Sequence, residues 1–337
     1  MRYSFIIPVY NAGPWLAACV ESVRAVAAAD YEILLVNDGS TDDSGDRCDA
    51  LAARYPEVRA VHQANGGVSS ARNRGIREAR GEKLLFLDAD DTIDPAALGA
   101  LLADPRCGEA DLVVYGNCFD YYAGGKCYRS DALYDDWDGL LDRKAWADRF
   151  ARLYANNALS SMCTKIFSRR ILMEHRLELN TDMFLYEDLE FVLRYLPHCG
   201  KIWNVPRGIY HYRQSEDEGN AGRRLARIGC LRDFLVPIEA ALNGLDHVDA
   251  GQKEAVLVQL FQILAREKIA VSGLKEIRMI CEDYAAWYRT GGFTAGGNDF
   301  HRQLMGGKAA KLKLQNMKTA LRHRIAVWAK VHHLYKA

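Results

Sequence analysis

Short apolar runs alternate with helical patterns through the first third of the chain. Residues 5–9 and 32–36 read as buried strands, and 58–62, 83–87 and 111–115 as further strands. Between them lie helical stretches. Residues 15–29 have Pro14 near their first turn. Residues 41–54 follow Ser40, with Asp43 three positions on, the spacing of an N-terminal cap. Residues 69–79 are closed by Gly81, and Asp94-Pro95 opens another helix. Strand–helix alternation of this kind predicts a Rossmann-like, mostly parallel sheet flanked by helices. Such open sheets bind ligands at the carboxyl ends of their strands. Asn37-Asp38 and the run from Asp88 to Asp91 each directly follow a strand, so both acidic clusters are expected to face one site.

Residues 120–185, rich in Tyr, Asp and Trp, read as loops with helices. A helix at 186–196 stops at Pro197, and short strands follow at 202–205 and 209–212. From Arg223 the pattern is helical, apart from a Gly-rich loop near 291–297. The expected organisation is an α/β domain over residues 1–220 and a helical C-terminal region over 221–337.

The 337 residues are 49% apolar and 26% charged, enough to bury a sizeable core. Lys plus Arg and Asp plus Glu each number 44, so net charge gives no sign of a nucleic-acid partner. The balance hides an asymmetry. From Lys308 onward there are eight basic residues and no acid, so the rest carries a net charge of minus eight. In that tail Leu314, Met317, Leu321, Ile325, Trp328, Val331 and Tyr335 make one apolar stripe, with Lys313, Lys318, Arg322, Arg324 and Lys330 around it. A helix of this kind, over 308–337, suits an anionic membrane surface, or packs its stripe on the rest of the protein. The nine cysteines show no CxxC or zinc-ligand spacing and read as reduced thiols of a cytosolic protein. No 18-residue apolar run predicts a membrane span. Arg2 is followed at once by a strand and a proline, unlike a secretory leader.

Three constellations carry chemistry. In Asp88-Ala89-Asp90-Asp91 the carboxylates repel one another unless a cation or hydrogen bonds compensate, and Mn²⁺ or Mg²⁺ fits such oxygen ligands. The plainer reading, a helix cap, is already filled by Asp94-Pro95. Asp38 in Asn37-Asp38-Gly39-Ser40 could accept a hydrogen bond from a base N–H, or belong to a turn. Asn65-Gly66-Gly67 leads into a helix start whose free N–H groups suit an anion, with Arg72 one turn further in. No GxGxxG or Walker loop is present, which counts against dinucleotide oxidoreductases and P-loop kinases.

Taken in order, residues 5–11, 37–42, 66–75, 86–91 and Tyr186-Glu187-Asp188-Leu189-Glu190-Phe191 resemble the family 2 inverting glycosyltransferases of the GT-A fold. The resemblance implies a nucleotide-sugar donor, a glycan or lipid-linked acceptor and a divalent cation. Pro8, Val9, Tyr10 and Asn11 would line the base, with the tyrosine ring stacking on it. Asp38 would read the uracil edge, and Arg72 would support base and ribose. Asp88 would contact the ribose or a metal-bound water, Ala89 would belong to the nucleotide-sugar site, and Asp90 would ligate the metal. Asp188 would be the general base, with Glu187 orienting the acceptor. His211 would complete the metal site, Arg213 would contact the diphosphate, and Lys165 would lie on the acceptor side, its plainer reading being an exposed lysine. The serine expected beyond Arg213 is replaced by Glu218. The implied setting is surface-polysaccharide synthesis at the inner face of the plasma membrane. A sugar nucleotidyltransferase would need a Gly-rich phosphate loop that residues 5–15 lack. Intact Asp38, Asp88, Asp90 and Asp188 speak against a silent binding subunit.

Overall fold

The apolar runs become the strands of one sheet. They are β1 (Tyr3–Val9), β2 (Tyr31–Asp38), β3 (Val58–Gln63), β4 (Lys83–Phe86), β5 (Thr92–Ile93), β6 (Leu112–Ala123), β7 (Lys126–Leu133), β8 (Gly139–Asp142), β9 (Lys165–Ser168) and β10 (Lys201–Gln214). The structure is a computed structural model that describes residues 2–312, apart from 28–29, 124, 157, 215–227, 273, 294–297 and 310. The strand order is β3-β2-β1-β4-β9-β6-β10-β5, with β7 on β6 and β8 on β10. β1 runs parallel to both β2 and β4, and β2 parallel to β3. Ile6, Ile7, Leu34, Leu35, Leu85 and Phe86 in this half are completely buried. Each such side chain contributes about 1.5–3 kcal/mol through removal from water. Their uninterrupted apolar sequence reflects helices on both faces.

The other half departs from the sequence reading. The stretch 120–185 contributes β7, β8 and β9 as well as helices. β9 lies antiparallel between β4 and β6, so the sheet is mixed at its centre. Residues 201–214 form one strand rather than two. The interruption at Pro206-Arg207-Gly208 is absorbed as a shift of register between Asn204 and Tyr210.

Local chemistry sets the helix ends. The Asp94 carboxylate accepts from the Ala97 N–H at 2.9 Å, the cap expected at Asp94-Pro95. Ser40 does not cap the helix Ser44–Arg54. Its hydroxyl accepts from the Asn11 N–H at 3.1 Å, joining the β2 turn to the β1 turn. The helix Val68–Glu78 lies close against β1, because a Cβ on Gly75 would fall 2.2 Å from Ile6 Cγ2.

The described residues up to Gln214, with Gly244–Val248, form one compact unit; those of 228–243 and 249–312 form a second. The second contains helices Leu231–Asn243, Ala250–Val271, Leu274–Thr290 and Asp299–Met305 around Phe261, Tyr284 and Trp287. The proposed tail stripe and Glu218 lie outside the described residues. All nine cysteines are free thiols. No helix among the described residues is long and apolar enough to cross a membrane.

Candidate active site

Because β2 and β4 flank β1, their carboxyl ends and the loops beyond them lie side by side. Tyr10 follows β1 with 52% of its surface exposed. Pro8 and Val9 lie beneath it in the sheet, opposite Val36 and Asn37. Asn11 adopts a left-handed backbone (φ 49°), a conformation asparagine tolerates better than most residues. Its Oδ1 accepts from the N–H groups of Thr41 at 2.8 Å and Asp42 at 3.3 Å.

Asp38 is buried and fully engaged. Oδ1 accepts from Gln63 Nε2 at 2.7 Å and Gly66 N at 2.9 Å, while Oδ2 accepts from Gly67 N at 2.8 Å and Asn65 Nδ2 at 3.3 Å. A carboxylate offers about four acceptor directions. Here all are taken by the loop 63–67, so in this conformation Asp38 holds that loop and faces no free base edge. Gly67 (φ 85°) supplies the left-handed residue that turns its N–H toward the carboxylate.

Arg72, expected on the base and ribose side, is engaged by two acids. It is 3% exposed, and its guanidinium bridges two carboxylates. Nη2 donates to Asp88 Oδ1 at 2.8 Å and Nη1 to Asp188 Oδ1 at 2.7 Å, with Glu187 Oε1 3.9 Å from Nη1. Burial disfavours its charge, but the charges of Asp188 and Asp88 outweigh this and raise its pKa further above the ordinary value. The neighbouring Asn73 makes a second bridge. Its side chain donates to Leu179 O at 2.9 Å and accepts from Leu179 N at 2.7 Å. One short helix thus ties the turn after β4 to the segment leading into Glu187–Tyr195. The other Asp188 oxygen accepts from Met162 N at 3.0 Å. Tyr186, immediately before Glu187, has φ 58°, a strained backbone for a bulky residue next to the paired acids.

The three acids after β4 are not equivalent. Asp91 is buried. It accepts from Tyr210 Oη at 2.5 Å and from Arg213 N at 2.7 Å, and Tyr210 Oη in turn accepts from Asp88 N at 3.1 Å. Burial, followed by the Asp88 and Asp90 charges, pushes the Asp91 pKa up to about 8. Asp91 therefore fastens this turn to β10, a role the sequence did not separate from that of its neighbours. Ala89 is buried, whereas Asp90 is exposed as a residue. Partial desolvation of its carboxyl, followed by the Asp88 charge, raises the pKa of Asp90.

His211 and Thr92, two residues past Asp90, are cross-strand partners. The His211 Nδ1 lies 2.8 Å from Asp120 Oδ2. Arg213 donates from Nε to the Asp90 carbonyl at 3.3 Å, and its guanidinium lies 3.8 Å over the Tyr122 ring. Lys165 is not an exposed lysine. It is 0% exposed on β9, and its ammonium donates to Ser161 O and, at 3.3 Å, to Thr164 Oγ1. Burial pushes its pKa down to about 7, against the opposing pull of the Asp188 charge. Among the described residues no three His, Cys, Asp or Glu side chains are arranged to hold a metal by themselves. The Asp90 carboxyl, on the turn after β4, and the His211 imidazole, on β10, are oxygen and nitrogen donors of the kind a divalent cation accepts.

Residues 4–176 match the family description "Glycosyl transferase family 2". The chain is 29% identical over 212 residues to the uncharacterized glycosyltransferase EpsJ of Bacillus subtilis, covering 63% of this chain and 61% of EpsJ. It is 40% identical over 119 residues to glycosyltransferase GlyG of Streptococcus pneumoniae, covering 35% and 39%. The matches thus span less than two thirds of these relatives' own length. Among solved structures, S. aureus TarS 1–349 in complex with UDP-GlcNAc superposes with a TM-score of 0.65 at 16% identity over 92% of each chain. Mannosyltransferase PcManGT from Pyrobaculum calidifontis, in complex with GDP-Man and Mn²⁺, superposes with a TM-score of 0.53 at 17% identity, over 100% of this chain and 88% of that one. With this sheet, this strand order and a family match over half its length, the chain belongs to glycosyl transferase family 2 and has the GT-A fold.

Proposed function

We propose that the protein is an inverting, metal-dependent glycosyltransferase. It moves a sugar from a nucleotide diphosphate, with UDP the favoured nucleotide, to a hydroxyl of a glycan or lipid-linked glycan. The observation that carries this is the Asp88–Arg72–Asp188 bridge, which brings the acids after β4 and the paired acids 187–188 to opposite sides of one guanidinium. The relatives' names and the UDP-GlcNAc and GDP-Man ligands of the structural neighbours support the donor class.

The roles follow from position. Tyr10 offers an exposed ring to stack on the base, above Pro8 and Val9. Asp38 acts at one remove, by holding the loop 63–67 beside the base. Asp90 and His211 would hold Mn²⁺ or Mg²⁺, which supplies charge to neutralise the diphosphate leaving group. Arg213, steadied by Tyr122 and the Asp90 carbonyl, would contact the same diphosphate. Asp188 takes the proton of the acceptor hydroxyl as that oxygen attacks the anomeric carbon from the face opposite the nucleotide. Its two oxygens are held by Arg72 and Met162 N in this structure, so the acceptor hydroxyl must share or displace one of these donors. Glu187 and the buried Lys165 flank this base and orient the acceptor side. The basic tail over 308–337 would bring the enzyme to an anionic membrane carrying such acceptors. Flotation with anionic vesicles of the full chain against one ending near Gly307 tests that part, and equal binding would remove it.

The test of the reaction is nucleotide release from a panel of UDP- and GDP-sugars, with Mn²⁺ and with chelator. Release from one UDP-sugar that requires the cation is expected. Release unaffected by chelator, or from no sugar nucleotide in the presence of acceptor extracts, would refute the reading.

A further inference from the structure

His211 does not stand alone on its strand. On the same face of the sheet β6 and β10 are in parallel register, with Cys118 opposite His211 and Asp120 opposite Arg213. Asp120 therefore sits diagonally behind His211, and its Oδ2 meets Nδ1 of the imidazole at 2.8 Å. The carboxylate is itself fixed. Ser130, its direct cross-strand partner on β7, donates to the other oxygen at 2.5 Å. Asp120 is buried, while the imidazole keeps 29% of its side chain accessible. Two residues on, Tyr122 backs Arg213 in the same manner.

The chemistry of this chain of contacts is directional. A carboxylate accepts only, so Nδ1 carries the hydrogen of this bond and Nε2 is the ring nitrogen directed away from Asp120. Burial of Asp120 between Ser130 and His211 restricts the ring to one orientation. A carboxylate behind an imidazole is the arrangement that orients a ligating histidine and raises its basicity.

We propose that Asp120, held by Ser130, is a positioning residue that sets the tautomer and direction of His211 so that Nε2 serves as a divalent-cation ligand. This rests on the reading of Asp90 and His211 as the cation's protein ligands. Asp120 touches neither sugar nor nucleotide in this scheme, and its effect passes through the imidazole alone.

Two readouts on the full-length chain test it. The first needs no metal. Ring ¹⁵N spectra near pH 8 should show His211 as the Nδ1–H tautomer in the wild type, and a shift toward Nε2–H in Asp120→Ala. The second is Mn²⁺ affinity in the presence of UDP, read from free Mn²⁺ by electron paramagnetic resonance. Asp120→Ala is expected to weaken it about 10- to 100-fold. Asp120→Asn, which can still accept from Nδ1–H, should fall between, and Ser130→Ala should cost only a few-fold. In a His211→Ala background, Asp120→Ala should change nothing further. An undiminished loss in that background, or a wild-type Nε2–H tautomer, would overturn the proposal while leaving the metal reading intact. A wild-type protein that binds no Mn²⁺ with UDP would instead overturn the metal reading itself, and this inference with it.

Discussion

The two halves of the sheet are built differently. In β3-β2-β1-β4 every pairing is parallel, and β2, β1 and β4 are mostly apolar and buried. The groups at their carboxyl ends are anchored by neighbours close along the chain or on the adjacent strand, as Asp38 is by residues 63–67. In the half formed by β9, β6, β10 and β5 the pairings are mostly antiparallel, and the polar groups are anchored across long sequence distances. Asp91 meets Tyr210, His211 meets Asp120, and Asp188 meets Arg72. In the proposed reading the first half is the platform that carries the nucleotide, and the second supplies the groups that act on the sugar and its leaving group. Arg72 and Asn73 are the joint between them.

The largest expected effect breaks the comparison on its reactive side. Asp188→Asn keeps the shape and one acceptor oxygen but removes the base, and transfer rates should fall by about 10²- to 10⁴-fold. Arg72→Met breaks the joint. It leaves Asp88 and Asp188 without their shared partner, at a cost of about 3 kcal/mol because Asp188 is mostly buried. A shallower effect follows from Asn73→Ala, which strands the Leu179 N–H and carbonyl and should cost about 2 kcal/mol in denaturant unfolding. If Asn73→Ala also slows transfer while Asn11→Ala does not, the joint rather than the platform limits the geometry of Asp188.

The smallest effect, read over a single pH unit, concerns pH. Lys165 has a folded pKa of about 7, below its unfolded value. The unfolded chain therefore binds more protons between these values, and stability rises with pH from about 7 toward 10, by at most about 1.4 kcal/mol per pH unit. Lys165→Met should remove that slope and be more stable than wild type near pH 7. Unfolding curves at pH 7, 8 and 9 that run parallel for the two proteins would contradict the burial of a charge beside Asp188.

The same contrast explains what the sequence made legible. Continuous apolar runs and their polar ends announce β1–β4, and with them Asp38, Asp88 and Asp90. They also suggest that the acids meet, since adjacent parallel strands end together. β9 is four residues long, too short for a period to show, and β7 carries the mostly exposed sequence KCYRSDAL, so both were expected as loop. Asp120 lies in an alternating strand, where an aspartate looks like a surface residue. Lys165 looked exposed because nothing local reveals that β9 is covered on both sides. The partners of Arg72 lie 16 and 116 residues away, beyond any local signal. Its motif marked it as a site residue but assigned it to the nucleotide rather than to the acids.

The most direct test of the central claim, a cation-bound nucleotide on one side and a base on the other, separates binding from turnover. Calorimetric titration of UDP with Mn²⁺ should give Asp188→Asn an affinity close to wild type alongside its lost transfer, whereas Asp90→Asn should lose both. Wild-type turnover in Asp188→Asn, or UDP binding equally weakened by the two substitutions, would contradict it.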